Sequence, residues 1–177
     1  MTAWLRELAG GAVALALVVA LVRAAAPASP RPPVELIVAR DLWWPSLTPA
    51  LARGELPSLA RLARAQHGRL AGDPTLFLRQ HFLPLTEVEG LPALEAAVAR
   101  SKAAALVVVG WRSGLPDGQG VWLASGAGAR PGPLDGPVRA EEVVPSALAL
   151  AGLPLPRGVS DRPSAAVVAG PCRWEPR

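Results

Sequence analysis

Three short runs of almost uninterrupted apolar residues limit the folds open to this chain. They are Val34–Ala39 (VELIVA), Ala103–Val109 (AAALVVV) and, after a turn-rich segment, Val121–Ala124 (VWLA). Short continuous apolar runs are typical of strands that are buried on both faces of a sheet, as in parallel sheets. The alternation of these runs with helical segments predicts a small three-layer α/β domain with a mostly parallel sheet.

Segments with apolar residues at helical spacing separate and follow these strands. We expect helices at Leu47–Ala52, from Pro57 to His67-Gly68, from Leu91 onward, and at Pro145–Ala151. Gly152 is expected to cap the last helix, because glycine adopts a left-handed backbone without strain. His67 is interpreted as a helix-terminal residue whose ring interacts with the helix dipole. Residues 71–84 show no periodic pattern and are interpreted as irregular.

The amino terminus carries an uncharged apolar segment, Leu8–Val22. This segment is shorter than the roughly 20 residues that cross a bilayer, but Trp4 to Ala28 can span if Arg23 extends toward the headgroups. We therefore interpret residues 1–28 as an N-terminal transmembrane helix that acts as a signal anchor. A cleaved signal peptide is the main alternative, because small residues follow the apolar segment. A buried soluble helix is less favoured, because the segment lacks a polar face.

A proline-rich linker, residues 27–33 (PASPRPP), follows the apolar segment. Proline at this density favours a stiff, extended chain, so we place the domain boundary here. The folded domain is expected at residues 34–170, with a short tail at 171–177. The single cysteine, Cys172, excludes an intramolecular disulfide and a cysteine-based zinc site.

The isoelectric point of about 10.9 does not by itself indicate nucleic-acid binding. The net charge is only +4, and Lys102 is the only lysine among 18 basic residues. The arginines are scattered, whereas a protein that tracks a phosphate backbone needs a basic stripe, usually with aromatic residues. We therefore expect no nucleic-acid partner.

Two parts of the chain resemble the alkaline phosphatase superfamily, in particular its type I phosphodiesterase/nucleotide pyrophosphatase branch. The first part contains VELIVARDLWW from Val34, GELPSLARL at Gly54–Leu62 and GRL at Gly68–Leu70. The second contains LVVVGWRSG at Leu106–Gly114, GVWLASGAGARPG at Gly120–Gly132 and EVVPSALALAGLPLPRG at Glu142–Gly158. Together they cover a little over half of the chain. The resemblance implies an α/β scaffold with a two-metal site that binds a phosphate and activates a Thr or Ser nucleophile.

The residues at the positions of the family's site do not match that chemistry. In the best register, Arg40 stands where the first Asp ligand belongs, and Asp41 stands where a glycine follows it. Trp111 and Arg112 replace an Asp-His pair, and Phe77 lies at the position of the nucleophile. Arginine keeps its positive charge and therefore repels a metal ion. The resemblance thus implies a degenerate site with no catalytic residue, no metal and no cofactor.

A reduced-site phosphodiesterase or phosphatase is the alternative. It would hold Zn²⁺ or another divalent metal with some of Asp41, Asp73, His81 and Asp117, and it would use Thr75 as the nucleophile. Carboxylates and imidazoles are suitable ligands for such metals. This hypothesis requires these side chains to converge in space.

The leading hypothesis is a membrane-anchored pseudoenzyme of the bacterial cell envelope. The resemblance implies a body on the periplasmic (extracytoplasmic) side, whereas the basic residues on the two sides of the apolar segment favour a cytoplasmic body. This pseudoenzyme would act as a protein-binding or assembly module, because a shortened sheet exposes strand edges that a protein partner or a second copy can cover. A structural membrane subunit with an accidental resemblance is a third possibility. That possibility predicts that the strands at Val34, Ala105 and Val121 do not lie in one sheet.

Overall fold

The structure, a computed structural model, describes residues 33–74, 78, 85–112, 114, 119–155 and 162–169. All of them belong to one compact unit, Pro32–Arg177. The strands are β1 (Val34–Arg40), β2 (Gln66–Ala71), β3 (Leu85–Glu89), β4 (Ala105–Trp111), β5 (Gly120–Ser125), β6 (Gly132–Pro133) and β7 (Val138–Arg139). The helices are α1 (Trp44–Ala52), α2 (Pro57–Ala65), α3 (Leu91–Arg100) and α4 (Val143–Leu150), with a 3-10 turn at Ala140–Glu142 before α4.

One mixed sheet contains all seven strands, in the order β3-β1-β4-β5-β2-β6, with β7 also paired to β2. β1 is parallel to β3 and β4, and β2 is parallel to β6 and β7, whereas β5 is antiparallel to β4 and β2. The predicted α/β class with a mostly parallel sheet is therefore confirmed. The strands that begin near Val34, Ala105 and Val121 lie in this same sheet, contrary to what an accidental resemblance predicts.

Both faces of the sheet are buried, which explains the continuous apolar runs. Successive residues of a strand point to opposite faces. Leu36, Val107 and Trp122 therefore pack with α4 and the segment 162–169, whereas their neighbours on the strands pack under α1, α2 and α3. The neighbours facing α1–α3 include Ile37, Val108 and Leu123.

Two strands differ from the sequence prediction. Helix α2 ends at Ala65, so His67 lies in β2 and not at the end of a helix. Strand β3 begins directly after residues 71–84, the segment interpreted as irregular, at a position where the sequence predicts no strand. β2 reads QHGRLA and β3 reads LTEVE, so neither contains an apolar run. β3 is an edge strand with exposed Glu87 and Glu89, and such polar edges resist unwanted pairing.

The cap predicted at Gly152 is confirmed. Gly152 has a φ of +70°, and its N–H donates to the Ala149 carbonyl at 3.0 Å. The next N–H, from Leu153, donates to the Leu148 carbonyl at 3.0 Å. These two bonds are the Schellman pattern, which satisfies carbonyls at the end of α4.

The predicted transmembrane helix and most of the linker fall outside the described residues, as does the tail at 171–177. Within the part of the chain that the structure describes, no helix is long and apolar enough to cross a membrane.

Gln66 is a fully buried polar residue at the start of β2. Its Nε2 donates to the carbonyl oxygens of Arg130 and Val167, both at 2.8 Å. Its Oε1 accepts a hydrogen bond from the indole Nε1 of Trp122 at 3.1 Å. One amide thus joins β2 and β5 to the loop at residue 130 and to the segment 162–169.

We expect Gln66→Leu to lower the free energy of unfolding by about 2–4 kcal/mol. The substitution removes the partners of the buried Trp122 indole N–H and of the Arg130 carbonyl, and such unsatisfied groups are costly. The Val167 carbonyl is less affected, because it also accepts from the Arg130 N–H at 3.0 Å. Urea unfolding of the full chain in a mild detergent, followed by circular dichroism, measures the effect.

Gln119→Leu is the matched control, because it makes the same change at a half-buried position. It should alter the free energy of unfolding by less than about 1 kcal/mol. Equal losses in the two variants would contradict the role assigned to Gln66.

Candidate functional site

The carboxyl ends of the parallel strands β1 and β4 meet at one edge of the sheet. Arg40 ends β1 and Trp111 ends β4, and these two residues are paired in the strand register. Asp41 and Arg112 follow directly, and we call these four residues the carboxyl edge. In open α/β sheets, ligands bind just outside the carboxyl ends of the strands.

The structure therefore brings together four of the five positions that the resemblance implies for the site. The fifth, Phe77, lies outside the described residues. The weaker candidates Thr75, His81 and Asp117 also lie outside them. Asp73 is described and exposed, two residues after the end of β2.

Asp41 turns the chain sharply at the end of β1. Its φ is +56°, and it is the only non-glycine residue with a positive φ among those described. The turn is followed by Leu42, which packs so closely on Gly110 of β4 that a Cβ there would lie 2.7 Å from Leu42 Cδ2. A left-handed backbone costs about 1–2 kcal/mol for most residues, although aspartate adopts it more readily than most. The backbone conformation at position 41 therefore favours glycine, and a glycine is the residue that the resembled family has at this position.

Charged and aromatic side chains surround this turn. The Arg40 Nη2 atom lies 2.6 Å from the Glu87 Oε2 atom on β3, and the Arg112 Nε atom lies 3.9 Å from the Asp41 Oδ1 atom. The Arg112 guanidinium carbon also lies 5.8 Å from the ring centre of Trp43. The ion-paired side chains are about half exposed or more, so each pair contributes less than about 1 kcal/mol to stability.

The two arginines decide which groups the side chains of the carboxyl edge can contact. Arg40 and Arg112 have no lone pair for a metal, and their planar guanidinium groups suit carboxylates, phosphates and aromatic faces. The carboxylates near them are Asp41, which contacts Arg112, and Glu87, which is paired with Arg40. Across the described ranges, no group of three or more His, Cys, Asp or Glu side chains could hold a metal ion.

A second feature, which the sequence did not predict, is a groove of about 600 Å³ between α1, β2 and the segment 133–137. The rings of Trp44 and His67 meet edge to face in this groove, with centres 5.9 Å apart. The indole Nε1 of Trp44 donates to the Gly68 carbonyl at 2.8 Å. Gly68 is needed for close packing, because a Cβ there would lie 2.7 Å from Leu134 Cδ1.

His67 keeps a link to the end of α2 although it lies in a strand. Its Nδ1 is 2.8 Å from the carbonyl oxygen of Ala63 in the last turn of α2. A carbonyl only accepts, so Nδ1 carries the proton, and in the neutral ring Nε2 is an acceptor. The predicted interaction with the helix end is therefore present, but it is made from β2. The groove itself had no signal in the sequence, because only the fold brings Trp44 and His67 together.

No protein-family model matches the chain, and comparisons with curated proteins and with solved structures also find no match. The function is therefore argued from the geometry and chemistry of the described residues.

A pair of variants tests the conformation of Asp41. Asp41→Gly and Asp41→Ala remove the same carboxylate, so both lose the contact with Arg112. We expect the glycine variant to have a free energy of unfolding about 1 kcal/mol higher than the alanine variant, because alanine is strained at a φ of +56°. Urea unfolding of the two full-length proteins gives the difference.

Asp135→Gly and Asp135→Ala form the control pair. Asp135 is exposed and is not among the residues with a positive φ, so glycine should be no more stable than alanine there. A glycine advantage of the same size at both positions would refute the assignment of a left-handed backbone at Asp41.

Proposed function

We propose that the chain is a membrane-anchored domain of the alkaline-phosphatase-like type that has no hydrolytic activity and acts as a protein-binding or assembly module. The observation that carries this proposal is that Arg40 and Arg112 stand at the carboxyl edge, at the end of β1 and directly after β4. These are positions where the resemblance would require metal ligands.

The charges of the two arginines argue against a divalent metal at this edge. A metal ion about 5 Å from an unpaired guanidinium is repelled by several kcal/mol at an effective dielectric constant near 20, and the ion pairs of Arg40 with Glu87 and of Arg112 with Asp41 reduce this repulsion. Arginine cannot relieve the repulsion by losing its proton. The left-handed backbone at Asp41 supports the register of the resemblance, in which position 41 is a glycine and position 40 a ligand.

The composition of the edge supports a protein partner. Trp43 and Trp111 are half-buried, and Arg112 is exposed and lies over the Trp43 ring. Tryptophan and arginine are enriched among residues that dominate the energy of protein interfaces. A partner that covers this edge would desolvate the cation–π contact and thereby strengthen it.

The amino-terminal segment is the basis for a membrane location, and the resemblance is the basis for the side on which the body lies. Residues 1–28 would form a single transmembrane anchor, and the body would lie on the periplasmic (extracytoplasmic) side of a bacterial membrane. The partner would then be another envelope protein or a second copy of this chain.

A reduced-site metal-dependent phosphodiesterase or phosphatase is the second candidate. The specific observation in its favour is Asp41, whose carboxylate is 73% exposed at the end of β1 and whose backbone conformation is unusual. Uncommon backbone conformations cluster at active sites. In this case Asp41 would ligate Zn²⁺ or another divalent metal.

Thermal unfolding with and without divalent metals separates the two candidates. The full chain in detergent would be heated with excess Zn²⁺, Mn²⁺ or Ca²⁺, or with a chelator. We expect the midpoint to change by less than about 1 °C. A metal at about 100 times its dissociation constant would add about 2.7 kcal/mol, which corresponds to a rise of roughly 5–10 °C for a domain of this size.

Asp41→Ala is the control for this experiment. A metal-dependent rise in the wild type that is lost in Asp41→Ala, together with hydrolysis of a phosphodiester substrate, would replace the non-catalytic proposal with the hydrolase. A rise that Asp41→Ala retains would point to metal binding away from the carboxyl edge.

A further inference from the structure

The groove between α1, β2 and the segment 133–137 arises from an interruption in strand pairing. β6 pairs with the first two residues of β2, and β7 pairs with the last two. Between these pairings, the four residues 134–137 stand opposite only Gly68 and Arg69. The surplus residues form a bulge at this edge of the sheet, and bulges are common beside functional sites.

Hydrogen bonds hold the walls of the groove in place. The Trp44 indole donates to the Gly68 carbonyl, and the Leu134 N–H donates to the His67 carbonyl at 2.9 Å. The His67 ring is itself held by its bond to the Ala63 carbonyl. The groove is therefore preorganised, and a ligand would not have to order these residues when it binds.

Two opposite charges line the groove, Arg69 of β2 and Asp135 of the bulge. Both residues are exposed, and neither forms an ion pair with the other or with any further residue that the structure describes. The Arg69 guanidinium can donate two parallel hydrogen bonds to a carboxylate, and the Asp135 carboxylate can accept from an ammonium group. A ligand that carries both charges is therefore complementary to the groove.

The uncharged polar groups of the groove are acceptors. The Thr48 hydroxyl donates to the Trp44 carbonyl at 2.9 Å, so its oxygen is left as an acceptor for a ligand. Nε2 of the neutral His67 ring also accepts, because Nδ1 holds the proton. Both acceptors suit the N–H groups of an amide backbone.

The groove also offers apolar surface to a ligand. Trp44 and Leu134 both line it and are only half-buried, so each keeps apolar surface that a ligand side chain can remove from water. The volume of about 600 Å³ lies in the range of pockets that bind drug-sized ligands. A single amino acid would fill only part of this volume.

We propose that this groove binds a short peptide with free termini. Its carboxylate contacts Arg69, its ammonium group contacts Asp135, and an apolar side chain packs against Trp44 and Leu134. The acceptors of Thr48 and His67 bind N–H groups of the peptide backbone. This inference goes beyond the proposed function and does not depend on it, because none of the four residues of the carboxyl edge lines the groove.

Isothermal titration calorimetry of the full chain in a mild detergent tests the proposal. The probes are the tripeptide alanyl-leucyl-alanine, the same tripeptide with an acetylated amino terminus or an amidated carboxyl terminus, and free leucine. We expect the unmodified tripeptide to bind and each modification to weaken binding by about ten- to hundredfold, because a hydrogen bond between charged groups is lost. Free leucine should bind at least about tenfold more weakly than the tripeptide, because it buries less apolar surface.

Charge variants assign each terminus to its residue. Arg69→Gln should weaken binding of the unmodified tripeptide by about ten- to hundredfold and abolish the effect of amidation, whereas Asp135→Asn should abolish the effect of acetylation. Both residues are exposed, so the fold should be retained, and the thermal midpoint checks this. Arg162→Gln and Glu89→Gln remove the same charges at exposed positions outside the groove and should leave every affinity unchanged.

Five outcomes would overturn the proposal. The unmodified tripeptide fails to bind, or it binds no more tightly than the blocked peptides, which would mean that the termini make no contact. Sensitivity to one terminus alone would mean a site for an anion or for a cation, and equal binding of leucine would mean a site for amino acids. Equal losses in all four variants would mean a general charge effect. The proposed absence of hydrolysis is decided separately, by the unfolding experiment with metals.

Discussion

The buried amide of Gln66 is the interaction on which the architecture depends. Its three hydrogen bonds connect the first residue of β2 to Trp122 of β5 and to the carbonyls of Arg130 and Val167. An amide removed from water must find such partners, and each one that is lost costs about 1–3 kcal/mol. The same bonds hold the segment 162–169 over the sheet, where Val167 and Val168 complete the core beneath α4.

Both faces of the sheet are covered by other elements, so we looked for binding surfaces at the two ends of its strands. The faces are filled by α1–α3 on one side and by α4 with the segment 162–169 on the other. At the carboxyl edge, Arg40, Asp41 and Arg112 meet beside Trp43. At the opposite end of the sheet, Arg61 lines a small pocket between α2 and α3. A protein partner is our proposal for the carboxyl edge.

The candidate site was predicted in part. The resemblance grouped Arg40, Asp41, Trp111 and Arg112, and the parallel pairing of β1 with β4 brings these positions to one edge of the sheet. The sequence did not indicate which residue Trp43 contacts. Its contact with Arg112 depends on how the chain turns at Asp41. The groove of Trp44 and His67 was missed, because its residues come from a helix and a strand that had not been assigned as neighbours.

Local pattern was sufficient to locate β1, β4, β5 and the helices, because a strand buried on both faces must be apolar throughout and a packed helix must repeat apolar residues with its own period. It did not predict where α2 ends, since His67 belongs to β2. The cap at Gly152 was equally local, since glycine readily takes the left-handed backbone that ends α4. β2 and β3 were decided by tertiary structure. Gln66 and His67 are polar. They become part of a strand because β2 pairs with β5 and β6, and because the Gln66 side chain donates to distant carbonyls while the His67 ring bonds to the end of α2. β3 has no apolar pattern because it lies at the edge, where its glutamates remain in water and only the parallel pairing with β1 makes it a strand.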